Sequence, residues 1–537
     1  MKAHFANALW VTSSLAEWQH FTHAAEHLAK TQEQLLSHYL RSNANTEYGV
    51  KYGFASITSP KQYQSRVSMT SYDDYLAYTQ RISDGFPLVL TSEPVRMFEP
   101  SSGSTNASKL IPYTAHLKAE FQRGIAAWIF NLYTHTPKIL GGTAYWSVTP
   151  LTGGKQTTSG GIPIGFESDS AYLSPLGQWL ISAIMAVPDS VKYFADVNTF
   201  RYATLLNLLL HPDLRLISVW NPTFLTLLLA ALPDWWDSLI HDIAVGKMTA
   251  PHTNLDVLFR FAPNPSLASR LRYINPADYE SIWPDLTLIS CWMDGPSTPY
   301  AYQIAEKFPN VIVQGKGLLA TEAFVSFPLA GLEGGVLAAN SHFFEFVDES
   351  GEALLAHQLC IGKTYSVVVT TGGGLYRYQL HDMVEVVGYW KQLPRLRFIG
   401  KADHISDWFG EKLEEHFVAR MLQNVFLDFR ITPNFAMLAP EETKEGMCYV
   451  LYLDSNVHFN IATFAQALDS ALRANFHYDY CRKLGQLDSA QVVRITNGAE
   501  TYLRACQLRG QKLGNIKSSI LQKTIGWHSC FELQGSE

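Results

Sequence analysis

Cysteine is scarce: six residues in 537, at positions 291, 360, 448, 481, 506 and 530. They are too scattered for a disulfide framework, and no pair has metal-ligand spacing. They read as reduced core residues of a cytoplasmic protein. Charge is sparse too. Only 17% of residues are Asp, Glu, Lys or Arg, which excludes a charge-rich disordered scaffold. Cations are not in excess, with Lys+Arg 41 against Asp+Glu 48 and a net charge of -7. Such a chain is a poor general binder of nucleic acid, because phosphate contacts need clustered cations. No clean apolar run is long enough for a membrane span. The most apolar stretch, Ala203 to Leu232, is broken by Asn207, His211, Pro212, Asp213, Arg215, Asn221 and Pro222, and a spanning helix needs about 18 uninterrupted residues. The first twenty residues lack the sustained apolar segment of a signal peptide. These absences predict a cytoplasmic protein with neither a nucleic-acid nor a membrane partner.

What is present suits a large buried core: 47% hydrophobic and 13% aromatic residues. At roughly 100–200 residues per domain, the length suggests two to four domains. Apolar residues recur at helical spacing from Leu15 to Leu40, and Ser42 to Asn45 form a polar stop. Arg96 to Phe98 reads as an extended run before a Ser/Gly-rich loop. Thr114 can cap a helix with Leu117, Phe121, Ile125, Trp128 and Leu132 on its apolar face. Val311 to Val313 and Ser366 to Thr370 read as buried strands. Strands interleaved with helices predict an α/β fold. Beyond Phe398-Ile399-Gly400 the texture becomes shorter-period and more charged, which places a domain boundary at 1–400 and 401–537.

Several constellations could carry chemistry. Ser101-Ser102-Gly103-Ser104-Thr105-Asn106-Ala107-Ser108-Lys109 is a small, hydroxyl-rich loop ending in a cation. Its backbone N–H groups and hydroxyls can wrap an anion, with the lysine as point charge. It lacks Walker A spacing. Thr321-Glu322 follows a strand and can place a hydroxyl on a phosphate and a carboxylate on Mg2+. Tyr376 to Asp382 ends in a carboxylate whose paired oxygens can accept two ribose hydroxyls. Gly400-Lys401-Ala402-Asp403 and Arg509 to Lys517 add late cations. His23-Ala24-Ala25-Glu26-His27 fits a zinc-protease pattern. It faces away from the apolar stripe and has no third ligand, so it reads as a solvated helix face.

The order of these motifs resembles the adenylate-forming superfamily. More closely, the chain is similar to the Gretchen Hagen (auxin-responsive) family of acyl-acid amido synthetases, nearer its bacterial branch. The likeness spans nearly the whole chain and includes Asn43 to Gly49, Ser71 to Tyr75, Glu93-Pro94-Val95, Ser218 to Pro222 and Ile289 to Trp292. It implies an adenylate-forming α/β fold: a large N-terminal domain of β-barrel and α/β sheets, and a small mobile α/β C-terminal domain. It implies that ATP and Mg2+ activate a small carboxylic acid as an acyl-adenylate, whose acyl group passes to an amine, usually an amino acid. The related alternatives are another acceptor such as coenzyme A, and a non-catalytic nucleotide-binding homologue. By the same resemblance Ser101, Ser102, Ser104, Thr105 and Lys109 hold the ATP phosphates, and Thr321 touches the α-phosphate. Glu322 binds Mg2+, Asp382 holds the ribose with Tyr376 nearby, and Lys517 neutralises charge where carboxylate meets phosphate. Two positions depart from the family pattern: Leu318 stands where plant members carry an aromatic, and His381 where Gly is usual. Tyr133, Trp146, Tyr172 and the Gly153–Gly165 loop are candidate acyl-pocket elements.

Overall fold

The computed structural model describes residues 2–101, 109–147, 156–165, 175–194, 196–249, 261–401, 405–443, 446–509, 511 and 516–532. Two long helices open the chain, Lys2–Glu26 and Leu28–Ser42. The periodic stretch is thus interrupted at His27, where the backbone leaves helical geometry (φ -135°, ψ 45°). Gln392 occupies the break: its N–H donates to the Ala25 carbonyl at 3.0 Å, and its side-chain oxygen accepts from Leu28 N–H at 3.2 Å. Backbone groups freed at a helix end need such partners.

The helix Ala115–His135 starts where its cap predicts. Thr114 Oγ1 accepts from Leu117 N–H at 3.1 Å and donates to the Gly372 carbonyl at 2.9 Å. Leu117, Phe121, Trp128 and Leu132 are buried. Thr114→Ala removes both bonds and is expected to cost about 1–2 kcal/mol. A urea-denaturation midpoint that stays in place would show that neither bond matters.

Four parallel strands form one sheet, in the order Thr143–Trp146, Leu214–Ser218, Leu288–Ser290 and Ile312–Gln314. Helices in the connections, among them Pro222–Ala230 and Thr298–Lys307, surround a core rich in Leu and Ile. Parallel strands need such crossovers, and their burial explains the continuous apolar runs. A second sheet has seven antiparallel strands and runs from Ala353–Leu355 at one edge to Ser326–Pro328 at the other. The described residues of this sheet pair in a single open order, bent by three register shifts. Its central strands are Thr364–Thr370, Tyr378–Trp390 and Leu393–Lys401. A small sheet pairs Met97–Ser101 with Lys109–Tyr113 in antiparallel register.

Among the described residues after Lys401 the strands pair only with one another: Ile405–Ser406 with Leu413–Glu414, and Phe435–Glu442, Met447–Asp454 and Gln491–Arg494 in a three-stranded sheet. Helices including Glu415–Asp428 and Gly498–Leu508 pack on this sheet. No helix among the described residues is long and apolar enough to cross a membrane.

Candidate active site

The carboxyl ends of the four parallel strands align in one row: Trp146 beside Ser218, Ser218 beside Ser290, and Ser290 beside Gln314. The crevice beyond such strand ends is where open α/β sheets bind ligands. From Gln314 the chain turns through Gly317, at φ 72°. A Cβ there would come within 2.5 Å of the Ser326 carbonyl oxygen, so only glycine fits. The turn delivers Thr321 and Glu322. The Thr321 carbonyl accepts from Tyr113 Oη at 2.5 Å, tying the segment to the strand that carries Lys109.

Glu322 has no ion pair among the described residues. Burial pushes its carboxyl above the usual range, and neighbouring Asp382 adds to this, while Lys401 and Lys109 oppose it. Tyr378 Oη donates to Glu322 at 3.5 Å, a weak contact. Asp382 is buried and faces Lys401 across two antiparallel strands, with Nζ 3.0 Å from Oδ1. Lys517 lies with its Nζ 5.2 Å from the centroid of the Trp292 ring. It opens to solvent on one side, yet protein crowds the ammonium closely. Burial first, then the like charge of Lys401, holds it below the ordinary lysine range, with Asp382, Glu322 and Glu415 pulling the other way. Main-chain contacts seat this segment: Asn221 Nδ2 donates to the Ile516 carbonyl at 3.2 Å and Tyr502 Oη to the Lys517 carbonyl at 2.9 Å. Lysines 109, 401 and 517 and carboxylates 322 and 382 therefore share one electrostatic neighbourhood, drawn from stretches about 400 residues apart in sequence.

Of the residues expected at the site, Lys109, Thr321, Glu322, Asp382 and Lys517 are brought together. Ser101 closes its strand opposite Lys109; Ser102, Ser104 and Thr105 lie outside the described residues. Tyr376 must be corrected. It is fully buried, stacks on Tyr48 at 4.9 Å, and donates its hydroxyl to the Leu90 carbonyl at 2.8 Å. A core tyrosine with its polar end satisfied has nothing to offer a ribose, and Tyr378 is the aromatic that reaches Glu322. Lys401 was legible only as a boundary motif, because its pairing with Asp382 depends on strand register. His381 takes φ 58°, the left-handed region that explains why Gly is usual there. Leu318 is half-buried against the large core. Tyr133 is also core, whereas Trp146 is half-buried beside Trp128 at 5.9 Å. Tyr172 and residues 153–155 of the Gly153–Gly165 loop lie outside the described residues. His23 and His27 are exposed with rings 4.6 Å apart, but Glu26 turns to Lys391 at 2.7 Å. No group of three or more potential metal ligands occurs among the described residues.

Sequence reasoning missed Lys316. Its ammonium donates to Ser218 Oγ at 2.7 Å and lies 3.4 Å from Ser290 Oγ. It also sits 5.0 Å from the Trp220 ring and 5.5 Å from the Trp128 ring. Burial lowers it to about 7, with a small opposing effect from the Cys291 thiol. The unfolded chain therefore binds more protons than the folded one between pH 7 and the ordinary lysine range near 10.4. Folding stability from this group rises with pH across that window. Lys316→Met is expected to flatten that rise in denaturant titrations at pH 7, 8 and 9. An unchanged slope would mean that the ammonium is not desolvated.

Three family models match the chain in succession: the GH3 family N-terminal domain over residues 17–313, the central domain over 335–401 and the C-terminal domain over 417–524. The chain is similar to a jasmonoyl–L-amino acid synthetase of Nicotiana attenuata, 24% identical over 418 residues, covering 72% of this chain and 71% of the relative. It is also similar to an indole-3-acetic acid-amido synthetase of Arabidopsis thaliana, 28% identical over 433 residues, covering 71% and 72%. Among solved structures, an acyl acid amido synthetase in complex with 2,4-DB superposes with a TM-score of 0.84 at 19% identity, covering 97% of this chain and 96% of that one. A 2-hydroxyisobutyryl-CoA ligase in the postadenylation state shares the fold more loosely, with a TM-score of 0.50 at 10% identity, covering 92% and 89%. These structural likenesses are likenesses of fold.

Proposed function

The chain belongs to the GH3 family, and from that premise we propose that it is an ATP-dependent acyl-acid amido synthetase. An oxygen of the acid's carboxylate attacks the α-phosphorus of ATP and pyrophosphate leaves. The nitrogen of an amine, an amino acid in this reading, then attacks the acyl carbonyl. AMP leaves, the nitrogen loses a proton, and an amide remains. The names of the relatives, amido synthetases for jasmonate and indole-3-acetate, support this reading. The single observation that carries it is the convergence of Glu322, Asp382, Lys401 and Lys517 beside Thr321.

The first step brings one anion onto another, so fixed cations must offset the repulsion. Lys517 supplies that charge at the carboxylate, and Lys109 with Ser101, Ser102, Ser104 and Thr105 supplies contacts to the phosphates. Asp382 accepts from the ribose, oriented by Lys401. Glu322 fits Mg2+ as a desolvated carboxylate without an ion pair among the described residues, since Mg2+ is commonly held by one or two carboxylates plus substrate phosphates. When bound, the ion would screen phosphate charge. We place the boundary between the ATP- and acid-binding domain (1–400) and a mobile lid (401–537) at Lys401, and the reaction in the cytoplasm. The test is pyrophosphate release from ATP and Mg2+ with a panel of aryl, indolyl and aliphatic acids, followed by mass spectrometry with mixed amino acids. Acid-dependent release with amide products is expected. Thioester formation with coenzyme A in place of amides would refute the acceptor, and ATP binding without release from any acid would refute turnover.

A further inference from the structure

The mechanism above does not use Lys316, although it lies at the carboxyl ends of the parallel strands in the same crevice. Its surroundings are unusual for a cation. Two serine hydroxyls and two indole faces surround it, and no carboxylate pairs with it among the described residues. Trp128 is itself positioned, its Nε1–H donating to Gln314 Oε1 at 3.4 Å. Serine hydroxyls and indoles solvate an ammonium without cancelling its charge. The two closest hydroxyls engage two of its three N–H bonds. One donor remains for a ligand, and in the protonated form a charge that no carboxylate among the described residues pairs.

The row of indoles has a second end. Trp220 packs against Trp292 at 6.0 Å, and the far ring of that pair carries Lys517. Two indoles thus separate two ammonium groups, one at the position of bond making and one remote from it. The chain links the two ends within six residues, from Lys316 to Glu322. A carboxylic acid lying along the indoles, with its reacting carboxylate toward Lys517, would present its opposite end to Lys316.

We infer that Lys316, with Ser218, Ser290, Trp128 and Trp220, forms a distal subsite that selects acyl acids bearing a second carboxylate at the end remote from the one activated. This rests on the adenylation reading for its reaction, but not for its binding. A purely apolar end group would leave the ammonium buried and unpaired, and a site with an unmatched polar group discriminates more sharply than one lacking a methylene.

The test uses matched acids: phenylacetate against 4-carboxyphenylacetate, and hexanoate against adipate. Each is measured in two ways on the full chain and on Lys316→Met. The first is quenching of tryptophan fluorescence without ATP, which reports binding alone. The second is pyrophosphate release with Mg-ATP and no amine, which reports adenylation. In the native protein the diacid of each pair is expected to bind, and to be adenylated, at least tenfold better than its partner. Lys316→Met is expected to abolish or reverse that order. The native-protein comparison stands even if the variant does not fold. Preference for the monoacid in both pairs, absence of binding by either diacid, or an unchanged order in Lys316→Met would each overturn the subsite. Diacid binding without pyrophosphate release would support the subsite and sink the adenylation reading alone.

Discussion

Lys517→Ala is expected to slow acid-dependent pyrophosphate release by about 10²–10³-fold, or about 3–4 kcal/mol of transition-state stabilisation. Carboxylate and α-phosphate are both anionic, and the attack concentrates negative charge between them. An ammonium held there in advance costs no reorganisation as the bond forms. Its surroundings act on that charge in both directions: burial and Lys401 disfavour it, while Asp382, Glu322 and Glu415 favour it. The anchors of the segment are main-chain carbonyls of Ile516 and Lys517, and alanine retains both. The substitution should therefore leave the thermal midpoint and nucleotide affinity close to those of the native protein while kcat falls. A rate within threefold of the native one would remove Lys517 from the chemistry. A loss of rate accompanied by a lower melting temperature would point to seating of the segment instead.

Glu345→Ala should destabilise the protein by about 3–5 kcal/mol. Glu345 and Arg377 are both buried. The guanidinium reaches the carboxylate through Nε at 3.0 and 3.2 Å and Nη2 at 3.0 Å. Its Nη1 donates to the Gln64 and Val67 carbonyls at 2.9 and 2.7 Å. Removing the carboxylate strands a fully desolvated cation, because those carbonyls supply no net charge. Arg377 also holds a left-handed backbone at φ 49°, immediately before the strand that carries Tyr378 and Asp382, so the loss should propagate to the site. Chemical denaturation followed by circular dichroism and by tryptophan fluorescence would check it. A shift under 1 kcal/mol would show that the pair is dispensable. Replacing both partners at once, Glu345→Leu with Arg377→Met, should cost less than Glu345→Ala alone, since no charge is left unpaired.

Sequence by itself determined the local features. The cap at Thr114, the apolar face of its helix and the β-branched strand ending at Thr370 rest on residues only a few positions apart. The order of the motifs, through the family resemblance, picked out Lys109, Thr321, Glu322, Asp382 and Lys517 as candidates. Tertiary structure decided which of these meet, and what that does to them. Tyr376 and Tyr378 are two residues apart and alike in composition. Both are buried in one core; Tyr376 turns its hydroxyl to the Leu90 carbonyl and Tyr378 turns its own toward Glu322, and only the packing separates them. Asp382 and Lys401 pair through strand register. Lys316 stands between two glycines, and nothing local marks it. It becomes a desolvated cation because Trp128, Ser218, Trp220 and Ser290 arrive from three other segments. Burial and charge coupling are properties of distance in space, and a linear pattern carries that distance only across the few residues of one turn or one strand.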